Sequence, residues 1–216
     1  MKKLWISRQN SKNLLLFFNG WGMDAKPFAH LDIPDNMDIL MIYDYTELEE
    51  LDKEFTDYER VDLVAYSLGV YAASKVLGGM DFVNAVAING TLKPISDDEG
   101  IAPAIFQGTI DSWSEVARLK FNRRMCGVKH NKFYQANLPE RSVEDQKAEL
   151  IALQSLINAG TEPQNIFNKA VISAADRIFP KSAQEKHWTA KRIQHTVIDE
   201  PHFYFADLKS WKDLLL

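Results

Sequence analysis

The chain has 216 residues, of which 46% are hydrophobic and 25% are charged, and its formal net charge is −5. These proportions are typical of a globular domain and exclude disordered and membrane-spanning classes, because the longest apolar run, 14–18, is far too short for a bilayer. With a single cysteine, Cys126, and no signal-peptide core at its start, the sequence predicts a cytoplasmic protein of one domain, 1–216, without disulfide, metal or cofactor.

Short apolar segments alternate with helical patterns along most of the chain, and several of the apolar segments contain no polar residue. This order predicts an α/β fold in which a mostly parallel central sheet carries helices on both faces. The predicted strands are 3–7, 14–19, 39–43, 61–66, 83–88, 170–174 and 194–198. The predicted helices are 25–31, 47–55, 68–77, 181–192 and 203–216.

Residues 91–165 follow a different pattern, with helical and loop signals and no convincing strand. A stretch of this length interrupts the alternation of strands and helices that builds the rest of the predicted sheet. We therefore expect a small helical lid at about 91–165, inserted in the single domain and set above the sheet.

The junction of strand 61–66 with helix 68–77 reads Val-Ala-Tyr-Ser67-Leu-Gly69. A strand that turns sharply into a helix needs small residues two positions before and two after the serine at the turn, as in the G-x-S-x-G motif of serine hydrolases. Gly69 meets this requirement, whereas Ala65 stands where the motif has glycine. The junction predicts a nucleophilic Ser67, and the alternative is a serine that only caps the helix.

A nucleophilic serine needs a histidine as base and an acid that orients the histidine. In this type of fold both follow the ends of late strands, in the order serine, acid, histidine. Asp176 follows strand 170–174 and fits the acid, and His202 follows strand 194–198 and fits the base. Asp199, three residues before His202 on the same turn, is the second candidate for the acid. The remaining histidines are predicted to be exposed or capping residues: His30, His130, His187 and His195.

Attack on a carbonyl group builds negative charge on its oxygen, and fixed donors must stabilise that charge. One donor is predicted to be the backbone N–H of Leu68, the residue after Ser67. The second is predicted in the glycine-rich segment 19–24, where the amide of Trp21 turns toward the pocket and its side chain walls the pocket. The alternative interpretation of Asn19-Gly20 is a hairpin turn.

Four motifs occur along the chain in a fixed order: Asn19-Gly-Trp-Gly22, Ala65-Tyr-Ser-Leu-Gly69, Ser173-Ala-Ala-Asp176 and Glu200-Pro-His202. Over essentially its whole length the chain therefore resembles the α/β-hydrolases. More narrowly, it is similar to the small pimeloyl-acyl-carrier-protein methyl ester esterases of biotin synthesis, the BioG type. The resemblance implies an α/β-hydrolase fold and a substrate, the ω-methyl ester of pimelate on an acyl carrier protein. It also implies a triad of Ser67, Asp176 and His202, with oxyanion donors at Trp21 and Leu68.

A local excess of positive charge in the predicted lid independently favours a protein-borne substrate. Residues 116–139 contain six cations and no Asp or Glu, although the whole chain is acidic. Such a patch would attract and orient an acidic carrier protein, and the alternative is a solvated helix face. Nucleic acid is a poorer partner because the rest of the protein would repel phosphates. The six cations are Arg118, Lys120, Arg123, Arg124, Lys129 and Lys132.

The sequence therefore predicts a serine carboxylesterase that works through an acyl-enzyme and releases methanol from methyl-pimeloyl carrier protein. One alternative is a carrier-protein thioesterase or general small-ester esterase with the same triad. The methyl esterase and the thioesterase differ in which end of the acyl chain reaches Ser67. The first releases methanol, and the second releases the free carrier thiol. The other alternative is a module of the same fold that binds an acylated carrier without turnover.

Overall fold

One sheet of seven strands organises the computed structural model, which describes residues 1–49, 51, 55 and 57–215. The strands are β1 (Lys2–Ser7), β2 (Asn13–Phe18), β3 (Asp38–Tyr43), β4 (Arg60–Tyr66), β5 (Ala85–Ile88), β6 (Lys169–Ser173) and β7 (Gln194–Ile198). Across the sheet their order is β1-β3-β2-β4-β5-β6-β7. Strand β1 is antiparallel to β3, and all other neighbours are parallel. The seven predicted strands and the mostly parallel sheet are confirmed.

The central strands are buried on both faces, which explains their continuous apolar sequences. In β2 the side chains of Leu14, Leu16 and Phe18 enter the core on one face of the sheet. Leu15 and Phe17 enter the core on the other face. Because β2 and β4–β7 run parallel, their carboxyl ends lie along one edge, and polar residues that follow these strands are collected there.

Five α-helices occur among the described residues: α1 (Gly69–Val76), α2 (Pro103–Ser112), α3 (Glu115–Ala136), α4 (Val143–Ala159) and α5 (Lys181–Ala190). Helices α1 and α5 confirm the predicted helices 68–77 and 181–192 apart from their ends. Helices α2, α3 and α4 occupy residues 91–165, here called the helical insertion, which contains no strand. No helix in the described ranges combines the length and apolar character that a membrane crossing needs.

Helices α3 and α4 begin at serine caps, and α3 is kinked. The hydroxyl of Ser114 accepts a hydrogen bond from Ala117 N at 3.3 Å, and that of Ser142 accepts one from Asp145 N at 3.0 Å. At Gly127 the backbone has φ 58°, in the left-handed region that favours glycine, and the helical conformation is interrupted. Helix α3 therefore has two parts that run in different directions.

Two helices predicted near the start of the chain differ from the structure. Residues 25–31 form a single 3-10 turn, Lys26–Phe28, rather than an α-helix. Helix nucleation is unfavourable, and a segment this short forms too few hydrogen bonds to offset it unless packing against the rest of the protein stabilises the helix. The predicted helix 47–55 lies partly outside the described residues, and residues 47–49 are not helical.

The predicted C-terminal helix 203–216 is also wrong. The described part forms two 3-10 turns, Phe205–Asp207 and Trp211–Leu215. Phe203 and Phe205 are both 0% exposed. Side chains two positions apart point to different sides of an α-helix, so a regular helix would expose one of the two rings.

Candidate active site

Ser67 lies at the sharp turn between β4 and α1, and its φ of 57° is in the left-handed region. This is the strained turn that presents a nucleophile in the G-x-S-x-G motif. A Cβ atom at Gly69 would lie 2.4 Å from the carbonyl oxygen of Asn19, so this position requires glycine. A Cβ atom at Gly90, after β5, would lie 2.3 Å from the carbonyl oxygen of Ser67. Gly90 is thus a second glycine that the turn needs, and the sequence analysis missed it.

Ser67, His202 and Asp176 are joined by hydrogen bonds at the edge of the sheet. His202 Nε2 lies 3.0 Å from Ser67 Oγ, and His202 Nδ1 lies 2.7 Å from Asp176 Oδ2. All three residues are buried. Of the two candidate acids, Asp176 contacts His202, whereas Asp199 is exposed and lines a surface groove with Glu200 and Pro201. The arrangement can move a proton from the serine hydroxyl to the imidazole while the carboxylate orients the ring.

The Asp176 carboxylate is held by groups that follow it in the chain. Its Oδ1 accepts hydrogen bonds from the backbone N–H groups of Ile178 (2.7 Å) and Phe179 (2.9 Å). Gln184 on α5 donates through Nε2 to Oδ2 at 3.2 Å. These donors leave the carboxylate in one orientation, with Oδ2 toward His202. Gln184 was not singled out by the sequence because its own helix gives no sign of a contact at the sheet edge.

Asn89, directly after β5, fixes the backbone of the histidine turn. Its side-chain Nδ2 donates to Ser173 Oγ and to the carbonyl oxygen of His202, both at 2.8 Å. Its Oδ1 accepts from Ser173 N at 2.8 Å. The residue is fully buried and has φ 50°. Its place after a predicted strand was the available signal, since that is where the other site residues stand.

The amides of Trp21 and Leu68 border the same pocket as Ser67. Among the described residues, neither backbone N–H has a hydrogen-bond acceptor. Buried amides are almost always paired, so two free ones beside a serine hydroxyl offer an anion-binding position. The alternative of a hairpin at Asn19-Gly20 is wrong, because β2 and β3 are parallel neighbours.

The pocket beside Ser67 and His202 is walled mainly by apolar side chains. The indole of Trp21 packs against Trp113, with ring centroids 4.5 Å apart, and against Phe121 at 5.3 Å. Pockets with such walls and few polar groups bind alkyl chains and orient one reactive end. The helical insertion contributes these wall residues: Ile101, Ile105, Phe106, Phe121 and Leu150.

The six cations predicted to bind a carrier protein are in different environments. Arg118 forms an ion pair with Glu115 at 2.5 Å. Lys129 forms ion pairs with Asp207 and Glu200, which raise the pKa of its ammonium group. The other four form no ion pair with any residue in the described ranges and are exposed: Lys120, Arg123, Arg124 and Lys132. Arg124 also lines the pocket and lies 5.5 Å from the ring centroid of Phe121.

Two of the histidines predicted to be exposed or capping are buried. His130 is 2% exposed and its Nε2 lies 2.9 Å from Glu200 Oε2. His187 is fully buried, with Nδ1 2.8 Å from Glu99 Oε2, and its Nε2 accepts a hydrogen bond from Leu92 N at 3.3 Å. Burial lowers the pKa of His187, and Glu99 opposes this effect. Both rings are satisfied by partners far away in the sequence, which local patterns do not reveal.

Comparison with known proteins assigns the chain to a family. The family profile described as "Pimeloyl-ACP methyl esterase BioG" matches residues 1–214. The chain belongs to this BioG family. The crystal structure of BioG from Haemophilus influenzae is 36% identical, covers 100% of both chains and has a TM-score of 0.91. The resemblance found in the sequence is confirmed.

More distant comparisons bear on the fold and on related chains. An esterase from Exiguobacterium antarcticum, 14% identical, covers 95% of this chain and 89% of that one with a TM-score of 0.69, which together with the sheet order establishes the α/β-hydrolase fold. A Bacteroides fragilis protein named malonyl-[acyl-carrier protein] O-methyltransferase is 43% identical over 182 residues, or 82% of this chain. This chain covers 36% of that protein, so it spans about a third of its length.

Proposed function

We propose that the protein is a serine carboxylesterase that cleaves the methyl ester of pimeloyl-acyl carrier protein into pimeloyl-acyl carrier protein and methanol. The observation that carries the proposal is the chain of hydrogen bonds from Ser67 through His202 to Asp176, inside a chain of the BioG family. The apolar pocket beside Ser67 is suited to the methylene chain of the pimeloyl group. Residence in the cytoplasm and the single-domain organisation stay predictions.

The proposed reaction has two steps. Ser67 Oγ attacks the ester carbonyl while His202 Nε2 accepts its proton, and the tetrahedral oxyanion binds the amides of Trp21 and Leu68. The C–OCH₃ bond then breaks, and His202 returns the proton to the methoxy oxygen, so methanol leaves. A water molecule next attacks the acyl-enzyme, with His202 again as base, and releases Ser67 and the ω-carboxylate. Throughout, Asp176 holds the imidazole in the required tautomer.

We further propose that cations on α3 attract the carrier protein. Carrier proteins are typically acidic, and the exposed Lys120, Arg123 and Lys132 are free of ion pairs within the described part of the chain. Arg124 is placed between this exposed surface and the catalytic pocket. Arg118 and Lys129 are neutralised by neighbouring carboxylates and so contribute less to long-range attraction.

The experiment that tests the function is mass spectrometry of methyl-pimeloyl carrier protein incubated with wild type and with Ser67→Ala. Loss of the mass of one CH₂ group, with the acyl arm still attached and only with wild type, would establish the esterase and its bond. Release of the whole acyl group would make the protein a thioesterase. If the mass of the carrier is unchanged after incubation with wild type, methyl-pimeloyl carrier protein is not a substrate of this protein.

A further inference from the structure

Helix α4 of the helical insertion binds the loop that carries Trp21. Gln146 on α4 donates through Nε2 to the carbonyl oxygen of Gly22 at 2.9 Å. Its backbone carbonyl accepts the indole N–H of Trp21 at 2.6 Å. Glu149, one turn further along α4, accepts the backbone N–H of Gly22 at 3.1 Å through Oε2. Both peptide groups of Gly22 are therefore bound to side chains of the same helix.

Glu149 is the centre of a buried polar cluster. It is 0% exposed, and its Oε1 accepts the backbone N–H of Tyr45 at 3.0 Å. The guanidinium of Arg141 donates to Oε2 through Nη1, and its Nη2 lies 3.1 Å from Asp44 Oδ1. Burial raises the pKa of Glu149, whereas Arg141 and the two amides lower it. Three donors converge on two carboxylate oxygens, so a carboxylate fits this position and a carboxamide, whose NH₂ would face a donor, does not.

A buried charge of this kind calls for a reason beyond stability. Well-packed apolar residues stabilise a protein about as well as a buried ion pair, because the ions must be desolvated. Here the carboxylate contacts the backbone beside Trp21, whose own amide has no acceptor in the part of the chain that the structure describes. On the other side, the peptide group that carries the Trp21 N–H is held through the carbonyl oxygen of Gly20, which accepts the backbone N–H of Met23 at 3.3 Å. The peptide groups on both sides of Trp21 are thus fixed, and its N–H direction with them.

We infer that Glu149 is a positioning residue that holds the Trp21 amide in the direction of the oxyanion, with Gln146 as its partner on α4. The inference rests on the proposed function, because it needs the amide of Trp21 to bind an oxyanion. Glu149 itself does not touch the pocket residues Ser67 or His202. It acts through Gly22, whose backbone N–H it binds.

The test is the variant Glu149→Gln, assayed on a small soluble methyl ester so that carrier binding does not enter. A misdirected oxyanion donor is expected to lower kcat about tenfold to hundredfold and to change KM less than about twofold. Affinity for a trifluoromethyl ketone, which forms a tetrahedral adduct with Ser67, is expected to fall by the same factor as kcat. Affinity for the product carboxylic acid is expected to stay within about twofold. The matched control is Glu144→Gln, an exposed glutamate of α4, which is expected to leave all four quantities unchanged.

A second variant, Gln146→Met, tests the same inference in case Glu149→Gln does not fold. Gln146→Met removes the donor to Gly22 without stranding a charge, and Gln146 Oε1 has no partner among the described residues, so little else is lost. We expect a smaller fall in kcat, about threefold to tenfold, again without a matching change in KM. Equal losses of affinity for the ketone and the acid, or an unchanged kcat in both folded variants, would overturn the inference alone. A wild type that cleaves no ester would overturn the proposed function and the inference with it.

Discussion

The sheet edge and the exposed surface of α3 contribute to the site in different ways. At the sheet edge, Ser67, Asp176 and His202 are buried and linked by hydrogen bonds of 2.7 and 3.0 Å. On α3, Val116 and Leu119 are 63% and 47% exposed, beside cations free of ion pairs in the described ranges. Under the proposed function, the buried sheet edge would supply the chemistry and the exposed surface of α3 would supply recognition of the carrier. Changes at the edge should therefore act on kcat, and changes on α3 should act on KM.

The largest effect is expected at Ser67, the proposed nucleophile. Ser67→Ala removes the attacking oxygen and should lower kcat by a factor on the order of 10⁶, with an unchanged melting temperature. The control is Ser74→Ala on α1, whose buried hydroxyl has no hydrogen-bond partner among the described residues. It should keep full activity. Steady-state rates on a soluble methyl ester measure both, and a Ser67→Ala enzyme with near-normal kcat would disprove the assignment of chemistry to the sheet edge.

Within the sheet edge, the next largest effect is expected at Asn89. Asn89→Ala leaves the carbonyl oxygen of His202 and the backbone N–H of Ser173 without their partner, which should destabilise the fold by about 2 kcal/mol and lower kcat about tenfold. Because Asn89 has φ 50°, part of the loss is a backbone effect. Asn36→Ala controls for it, since exposed Asn36 has φ 56°. Chemical unfolding and kcat are measured for both variants. If Asn89→Ala and Asn36→Ala have the same kcat, Asn89 has no role in the active site.

Charge reversal on α3 should act on the carrier substrate alone. Arg123→Glu with Lys132→Glu should raise KM for the carried ester about tenfold at low salt, and the difference from wild type should shrink at high salt. Arg124 is left intact because it lines the pocket. Cleavage of a small ester should stay unchanged. The control reverses exposed Lys209 and Lys212, and a loss on both substrates would indicate damage to α3 instead of lost attraction.

The smallest effect is expected away from both regions, at His187 of α5, whose ring contacts Glu99 of the helical insertion. Because burial lowers the pKa of His187 below its usual 6.5, the unfolded state binds more protons as the pH falls through this range. His187 therefore makes the free energy of unfolding fall as the pH is lowered from 7.5 to 5.5. Glu99 and Glu162 oppose this change, and Lys191 adds to it.

Unfolding in denaturant at the two pH values checks the prediction about His187. The variant His187→Gln should show a smaller fall in the free energy of unfolding than wild type. The same dependence in wild type and in His187→Gln would remove His187 as its source.

The sheet could be predicted from the sequence because the signal for each strand lies in its own consecutive residues, as a short apolar run between polar turns. Ser67, Asp176 and His202 could be predicted as a candidate triad for the same reason, since each lies one to four residues beyond the end of a predicted strand. Asn89 follows a strand too, but its partners are 84 and 113 residues away. Glu149 contacts Gly22 across 127 residues. Such contacts depend on how the helices and strands pack against one another. The residues next to Asn89 and Glu149 in the sequence therefore show no pattern that predicts them.

The kink of α3 limits how the protein can be redesigned. Helix α3 breaks at Gly127, which packs against Pro201, and just before it the carbonyl oxygen of Met125 accepts the backbone N–H of Phe203 at 3.0 Å. Helix α3 therefore shares a hydrogen bond with the turn that holds His202. An exchange of α3 with that of a relative, made to change partner preference, must carry residues 201–203 with it. A change made on α3 to alter carrier binding is therefore expected to alter turnover as well.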